Sequence, residues 1–523
     1  MAALLVLVAG CVAPRPSAPR AEPPTATPIH HLVVIIQENV SFDHYFGTYP
    51  RAANIDGQPF TARPDTPEVD GLAAELLTSN PNAAQPVRLG GPDQQVVCDQ
   101  DHTYRTEQLA ANGGAMNRFV ENSPDRLCPA PILNAPWLVM AYYDGNTVTA
   151  LWNYAQHFSI SDNFYNTTFG PSTPGHISLV SGQTHGITAQ FMPGGQPFPP
   201  HVVIDSTDNG QGTLIGDPQP LSDDCSTRDQ VQFSSKNKNI GDLLNAKGVT
   251  WGYFQDGFKP TARRADGTAE CGATHNVGAI LGGTGKTGAL PFGTKPDYLP
   301  HHEPFQYYVS TANPHHRPPS AIENIGITDQ ANHQYDLADF WAASEAGHMP
   351  SVSFLKPPAY QDGHAGYSDP LDEQQFLVET INRLQRLPDW QDTAAIIVYD
   401  DSDGFYDHKA PPTVSPSTTA EDALNAPGVC GDPNDAPVIY QGRCGYGPRL
   451  PLLVISPFAK ENFVDHTLAD QTSILRFIED NWDTGRIGDQ SLDERAGPLD
   501  AMFDFTGPKQ PTLLLDPHTG NPT

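Results

Sequence analysis

The amino-acid sequence predicts an α/β fold in which a mainly parallel central sheet is sandwiched between helices. Continuous apolar runs at His31–Gln37, Ala394–Tyr399 and Leu450–Ser456 have the character of strands buried on both faces, which parallel sheets require. Segments of helical periodicity alternate with these runs, the pattern of strands joined by crossover helices. Polar residues with chemical potential stand directly after the apolar runs, and open parallel sheets place their ligand sites at strand ends.

The chain opens on Met-Ala-Ala-Leu-Leu-Val-Leu-Val-Ala-Gly-Cys, an apolar run too short to span a bilayer and ending in the small residues of a signal-peptide cleavage site. Cys11 after Ala-Gly resembles a bacterial lipobox and is expected to carry lipid; a plain cleaved signal is the alternative, and no basic residue precedes the run. Residues 12–28, rich in Pro and Ala, read as a flexible tether. The expectation is an exported protein: periplasmic, secreted, or attached to the outer membrane as a lipoprotein.

After strand His31–Gln37, a helix is expected over Trp137–His157, leading through Phe158-Ser159-Ile160 to the turn Gly170–His176 and a short helix through Leu179. Residues 185–235 lack periodicity and are rich in Gly, Pro and Asp, so they read as an insertion of long loops. Asn239–Ala246 reads as a helix, and Val249–Phe254 and Val352–Leu355 as strands. Asp369-Pro370 supplies an N-cap and first residue for a helix with Leu377, Ile381 and Leu384 on one face. Residues 410–449, with two cysteines and many turn formers, read as a second, disulfide-tied insertion. Thr472–Trp482 reads as a closing amphipathic helix and 511–523 as a C-terminal tail. No linker divides residues 29–510, which are expected to form one domain.

Apart from Cys11, six cysteines remain, none in the Cys-x-x-Cys spacing of a zinc site, and an exported chain is expected to pair them. Sequence order suggests Cys98 with Cys128, Cys225 with Cys271, and Cys430 with Cys444. Sixty acidic and 29 basic side chains give a formal charge of −31, which repels polyanions and excludes nucleic acid as a partner. A phosphate ester is repelled too, so a phosphate site must make its own positive charge from metal ions, from the 19 histidines or from helix N-termini.

Three segments carry chemistry. Glu38-Asn39 offers a carboxylate and an amide oxygen, ligands suited to hard cations; alone it reads equally as a capped turn. Asp400-Asp401 places two carboxylates at the end of a buried strand, costly unless a cation binds them, although an exposed acidic loop is the plain alternative. In Gly170-Pro171-Ser172-Thr173-Pro174-Gly175-His176 a hydroxyl sits on a tight turn before a helix, where backbone N–H groups favour phosphate and a metal would activate the serine; Ser172 or Thr173 otherwise caps the helix. Histidines at Asp101-His102, His301-His302-Glu303, His315-His316 and Asp362-Gly363-His364 are suited to bind phosphoryl oxygens, metal or a leaving group.

Together these segments resemble the bacterial phosphoesterase family that contains phosphocholine-preferring phospholipases C and AcpA-type acid phosphatases, a branch of the alkaline phosphatase superfamily. The resemblance rests on Gln-Glu-Asn-x-Ser-Phe-Asp-His-Tyr-Phe-Gly at 37–47, Gly-Pro-Ser-x-Pro at 170–174 and Tyr-Asp-Asp-Ser-Asp-Gly-Phe-Tyr-Asp-His at 399–408. It implies an alkaline phosphatase-like core forming a single catalytic domain, and a divalent metal held by Glu38, Asn39, Ser172, Asp400 and Asp401. It also implies phosphoryl contacts from His102, His302 and His364, with His301 nearby, and a phosphoserine formed at Ser172. Val40 stands where the family usually carries Arg, and Gly175 where it commonly carries Asn. The His301–Tyr308 and Tyr360–His364 segments and Asp401 look closer to the acid phosphatases, so a broad phosphomonoesterase is the main expectation. A phospholipase C that releases diacylglycerol and phosphocholine is the alternative, and a non-catalytic solute-binding lipoprotein a distant one. The expected partner is a small phosphate ester or phospholipid; no protein partner is implied.

Overall fold

Strands buried on both faces need apolar residues at every position, because successive side chains point to opposite sides of the sheet. Leu-Val-Val-Ile-Ile in β1 (His31–Gln37) meets that demand, and all seven of its residues are buried. The computed structural model describes residues 23–90, 94, 96–124, 133–192, 201–204, 211–276, 294–423, 430 and 440–523. The central sheet adds β2 (Ser159–Ser161), β3 (Trp251–Gln255), β4 (Gln334–Asp336), β5 (Val352–Lys356), β6 (Thr393–Tyr399), β7 (Leu452–Ile455) and β8 (Phe463–Asp465). Its spatial order is β4-β3-β5-β1-β6-β7-β2-β8. Only β7 runs against its neighbours; the other pairings are parallel. β1 sits in the middle, with Leu32 opposite both Val352 and Ala394, so the C-terminal ends of β5, β1 and β6 lie side by side.

Helices cover the sheet: α1 (Phe42–Phe46), α2 (Thr149–His157), α3 (Ser172–Ser181), α4 (Ile240–Lys247), α5 (Leu337–Glu345), α6 (Pro370–Leu384) and α7 (Thr472–Trp482). α2 packs with α6, and α3 with α4 and α7. α6 begins as its sequence dictates, with the Asp369 side chain accepting from the N–H groups of Leu371 and Asp372 and Pro370 in the first turn. The fold is therefore the α/β class expected, a mainly parallel sheet between helices.

Two local expectations fail. The helix over Trp137–His157 is replaced by a 3-10 turn at Leu138–Met140 and a short strand at Ala141–Tyr142, and α2 starts only at Thr149. The cause is Asp144-Gly145-Asn146: Asp144 Oδ1 accepts from Asn146 N at 3.1 Å, a local bond that competes with the helix. Residues 185–235, read as loops, hold a five-stranded sheet in the order Val202–Ile204, Gly212–Leu214, His185–Phe191, Gln230–Phe233, Gln219–Pro220. Strands this short, paired over long separations, leave little periodicity to read.

Cys225 pairs with Cys271 and Cys430 with Cys444, as expected. Cys98 is disulfide-bonded, and its expected partner Cys128 lies outside the described residues, as do Cys11 and the tether through residue 22. The residues read as a tail are docked: Asn382 Nδ2 on α6 donates to Leu515 O at 2.7 Å, and Gln385 Nε2 donates to Leu513 O at 2.7 Å. Among the described residues no helix is long and apolar enough to cross a membrane.

Candidate active site

Because β5, β1 and β6 are parallel neighbours, the residues that follow each strand converge. β1 delivers Glu38 and Asn39, β6 delivers Asp400 and Asp401, and Lys356 ends β5. Asn39 and Asp403 take left-handed backbone conformations, φ 56° and 54°, which Asn and Asp tolerate better than other side-chain-bearing residues. Those turns aim their side chains inward. Asn39 N donates to Asp400 Oδ1 at 3.1 Å and Val40 N donates to Asp401 O at 2.9 Å, lacing the two loops together. Farther along, buried Arg449 holds Asp407 and Asp43 at 3.1 Å each, so the sequence blocks 37–47 and 399–408 form one rigid unit.

Ser172 enters from α3 as its first residue. Its Oγ donates to Asp401 Oδ2 at 3.0 Å and lies 3.4 Å from Asn39 Oδ1. All five residues expected to surround a metal are thus brought together and buried. The expected histidines join them. His302 Nδ1 lies 3.1 Å from Glu38 Oε1, His301 packs edge-on against His302, and the His102 and His364 rings are 6.2 Å apart. His102 Nε2 is 3.3 Å from Asn39 Nδ2.

The charge balance is unusual. Burial pushes Glu38 up to about 7 despite Lys356 beside it, and burial followed by the nearby Glu38 pushes Asp400 up to about 7. Asp401 is raised well above the carboxylate range, by burial and then by Asp400. Glu38 Oε2 and Asp400 Oδ2 are buried and meet no hydrogen-bond donor among the described residues. Several carboxylates gathered out of water repel one another unless protons or a cation stand among them. Three carboxylates, an amide oxygen and a hydroxyl form an oxygen-rich donor set that fits a hard divalent cation.

His102 behaves oppositely to the other histidines. Burial disfavours its charge, but Asp403, Asp99 and Asp217 outweigh that and raise it to about 10. His301, His302 and His364 are held well below the usual histidine range, in each case by burial first. His302 Nε2 and His301 Nδ1 are buried without hydrogen-bond partners among the described residues. A cavity of about 540 Å³ reaches the site at His102 and Pro171, and Asp99, Asp101, Arg105, Asp217 and Glu421 also line it. The helix N-terminus expected to greet phosphate is partly taken, since Thr173 N donates to Asp217 Oδ1 at 2.8 Å.

Sequence reasoning missed His176, Lys356 and Asp362 as members of the site. His176 Nε2 is 2.8 Å from Glu38 Oε1 and 3.6 Å from Asp400 Oδ2. Lys356 Nζ is 2.9 Å from Glu38 Oε1 and 3.4 Å from Asp362 Oδ2. Signals existed: His176 falls one helical turn after Ser172, and Lys356 directly follows the apolar run of β5. Gly175 has a physical reason as well, because a Cβ there would meet Asp400 O at 2.1 Å.

The chain matches the Phosphoesterase family over residues 29–485. It is 24% identical over 465 residues to the non-hemolytic phospholipase C of Pseudomonas aeruginosa, covering 86% of this chain and only 53% of that enzyme's length. It is 24% identical over 501 residues to phospholipase C B of Mycobacterium tuberculosis, covering 93% of this chain and 80% of that protein. Among solved structures it is similar to a protein in the alkaline phosphatase superfamily from Vibrio parahaemolyticus, at 11% identity and a TM-score of 0.29, covering 90% of this chain and 72% of that one.

Proposed function

The chain belongs to the Phosphoesterase family, and from that premise we propose that it is a hydrolase of phosphoric esters whose nucleophile is Ser172. The observation that carries this reading is the Ser172 hydroxyl, at the start of α3, held 3.0 Å from Asp401 and 3.4 Å from Asn39 among buried carboxylates. Glu38, Asn39, Ser172, Asp400 and Asp401 would hold a divalent metal, which when bound lowers the cost of ionising a hydroxyl and offsets phosphoryl charge.

Asp401 Oδ2, as acceptor of the Ser172 hydrogen bond, directs the Oγ lone pairs toward the incoming phosphorus. Oγ bonds to phosphorus as the bond to the leaving alcohol breaks, its own proton passing to Asp401 Oδ2, and His102, kept charged by Asp403 and Asp99, supplies the proton that alcohol takes. His302 and His301, with ring nitrogens buried and unpartnered, and His364 line the phosphoryl position. Water then bonds to phosphorus as the bond to Oγ breaks, giving one proton to His102 while the proton held at Asp401 returns to Oγ, which restores both groups.

Within this chemistry the phospholipase C reading is favoured over the broad phosphomonoesterase suggested by the motifs. The cavity lining carries Asp99, Asp101, Asp217 and Glu421 against one arginine, Arg105. Carboxylates there disfavour the dianionic end of a monoester and complement a cationic head group on a diester. The relatives' names agree with that class. Phosphomonoester hydrolysis is the second reading, supported by His301-His302-Glu303 and Asp401. Two disulfides favour an oxidising compartment, in keeping with export and with attachment through Cys11.

Ser172→Ala should lower hydrolysis of p-nitrophenyl phosphorylcholine by at least about 10³-fold while leaving the circular dichroism spectrum unchanged; near-native turnover would remove Ser172 from its role. Wild-type protein should show a higher kcat/KM on that diester and on phosphatidylcholine vesicles than on p-nitrophenyl phosphate. The reverse order would select the phosphomonoesterase.

A further inference from the structure

Lys295 lies on the strand Thr294–Pro296, which pairs with Thr274–Asn276 beside the site. Its Nζ stands 3.6 Å from the ring centroid of Tyr367, Tyr367 stacks on His364 at 4.1 Å, and His364 lies 6.2 Å from His102. The ammonium is therefore the outer end of a row of rings that leads into the catalytic histidines. Two fully buried cations of this acidic chain have carboxylate partners, Arg449 with Asp407 at 3.1 Å and Lys356 with Glu38 at 2.9 Å, whereas buried Arg443 is held by the backbone carbonyls of Gln490 and Gly182. Lys295 is half-buried, and among the described residues no carboxylate reaches ion-pair distance of it.

A cation withdrawn from water without a counter-ion is unfavourable, and an aromatic face compensates it only in part. Burial accordingly pushes the Lys295 ammonium below the usual lysine range, against the pull of the more distant Asp362, Asp99 and Glu38. The hydroxyl of Tyr367 is likewise buried and unbonded among the described residues. An ammonium seated on a phenol ring that stacks on an imidazole, with no carboxylate partner among the described residues, suits an anion with several acceptor oxygens.

We propose that Lys295 is a substrate-binding residue whose ammonium pairs with a non-bridging phosphoryl oxygen beside Tyr367 and His364. This rests on the phosphoesterase reading above and adds to it the positive charge that a chain of net charge −31 needs at its phosphate position.

The test is calorimetric titration of the metal-replete protein with inorganic phosphate. Lys295→Met should weaken phosphate binding by at least about tenfold, and Lys295→Arg should restore most of it. KM for p-nitrophenyl phosphorylcholine should rise with the same ranking. Should Lys295→Met fail to fold, acetylation of Lys295 in the wild-type protein, followed by peptide mass spectrometry, replaces it: saturating phosphate should slow that acetylation several-fold. Unchanged phosphate affinity in Lys295→Met, or unprotected acetylation, overturns the assignment while wild-type turnover leaves the phosphoesterase reading standing. A wild-type protein that neither binds phosphate nor cleaves esters overturns both.

Discussion

Lys356 Nζ lies 2.9 Å from Glu38 and 3.4 Å from Asp362 with all three side chains buried, so its charge is fixed by what surrounds it. Burial opposes the ammonium, yet Glu38 and Asp362 outweigh burial and raise its pKa, which makes Lys356 a permanent cation beneath the carboxylates. The same contest governs His408. Burial disfavours its charge, but Asp43 and then Asp407 overcome both burial and the neighbouring Arg449 and lift it to about 9, with Asp70 at 3.2 Å on its other nitrogen. A histidine whose folded pKa is raised stabilises the fold fully below its unfolded value near 6.5 and loses that contribution as pH climbs through 9. Lifting the pKa from 6.5 to about 9 amounts to at most about 3 kcal/mol. Urea unfolding of wild type and His408→Gln should therefore differ most at pH 6 and converge by pH 10; a constant difference would show that His408 acts through packing alone. Glu38, Asp400 and Ser172 were legible in the sequence because each follows an apolar run or a tight turn. Lys356 and His176 were signalled only by position, since an ordinary lysine or histidine gains meaning from the carboxylate it faces.

At the scale of the element, the close fit of α3 against the end of β6 positions the nucleophile. Asp400 O accepts from Asn166 Nδ2 at 2.9 Å and from Gln471 Nε2 at 2.6 Å, so that carbonyl is pinned from two sides. Gly175 leaves the space it needs, and a Cβ at 2.1 Å would force the helix away from the strand. Ser172, at the first position of the same helix, would move with it. Gly175→Ala should lower kcat by about 10²-fold, the usual consequence of a displacement near 1 Å in a reacting group, and should lower the melting temperature as well. A variant with native kcat would show that the helix can tilt without carrying Ser172. The strands behind this geometry were readable from apolar runs. The break at Asp144–Asn146 and the second sheet in 185–235 escaped because local side-chain bonds and long-range pairings leave no periodic trace.

For the whole molecule, the sites at the ends of β1 and β6 are built from segments hundreds of residues apart, and the parallel order β5-β1-β6 alone makes them neighbours. Once that order is granted, the convergence follows from sequence; the acidic cavity lining does not, since Asp99, Asp217 and Glu421 come from three separate loops. Stability should then depend on how the central carboxylates are neutralised. A cation bound only by the folded chain adds RT ln(1 + [L]/Kd), about 2.7 kcal/mol at a hundredfold excess over Kd. In a chain of this length that corresponds to a melting temperature higher by about 3 °C. Scanning calorimetry before and after chelation should show a fall of that order together with lost hydrolysis, and adding back a divalent cation should restore both. Asp400→Asn, which removes a proposed ligand, should show a smaller fall. If chelation changes neither melting temperature nor turnover, shared protons rather than a metal hold Glu38, Asp400 and Asp401 together, and the reading of that cluster as a cation site fails.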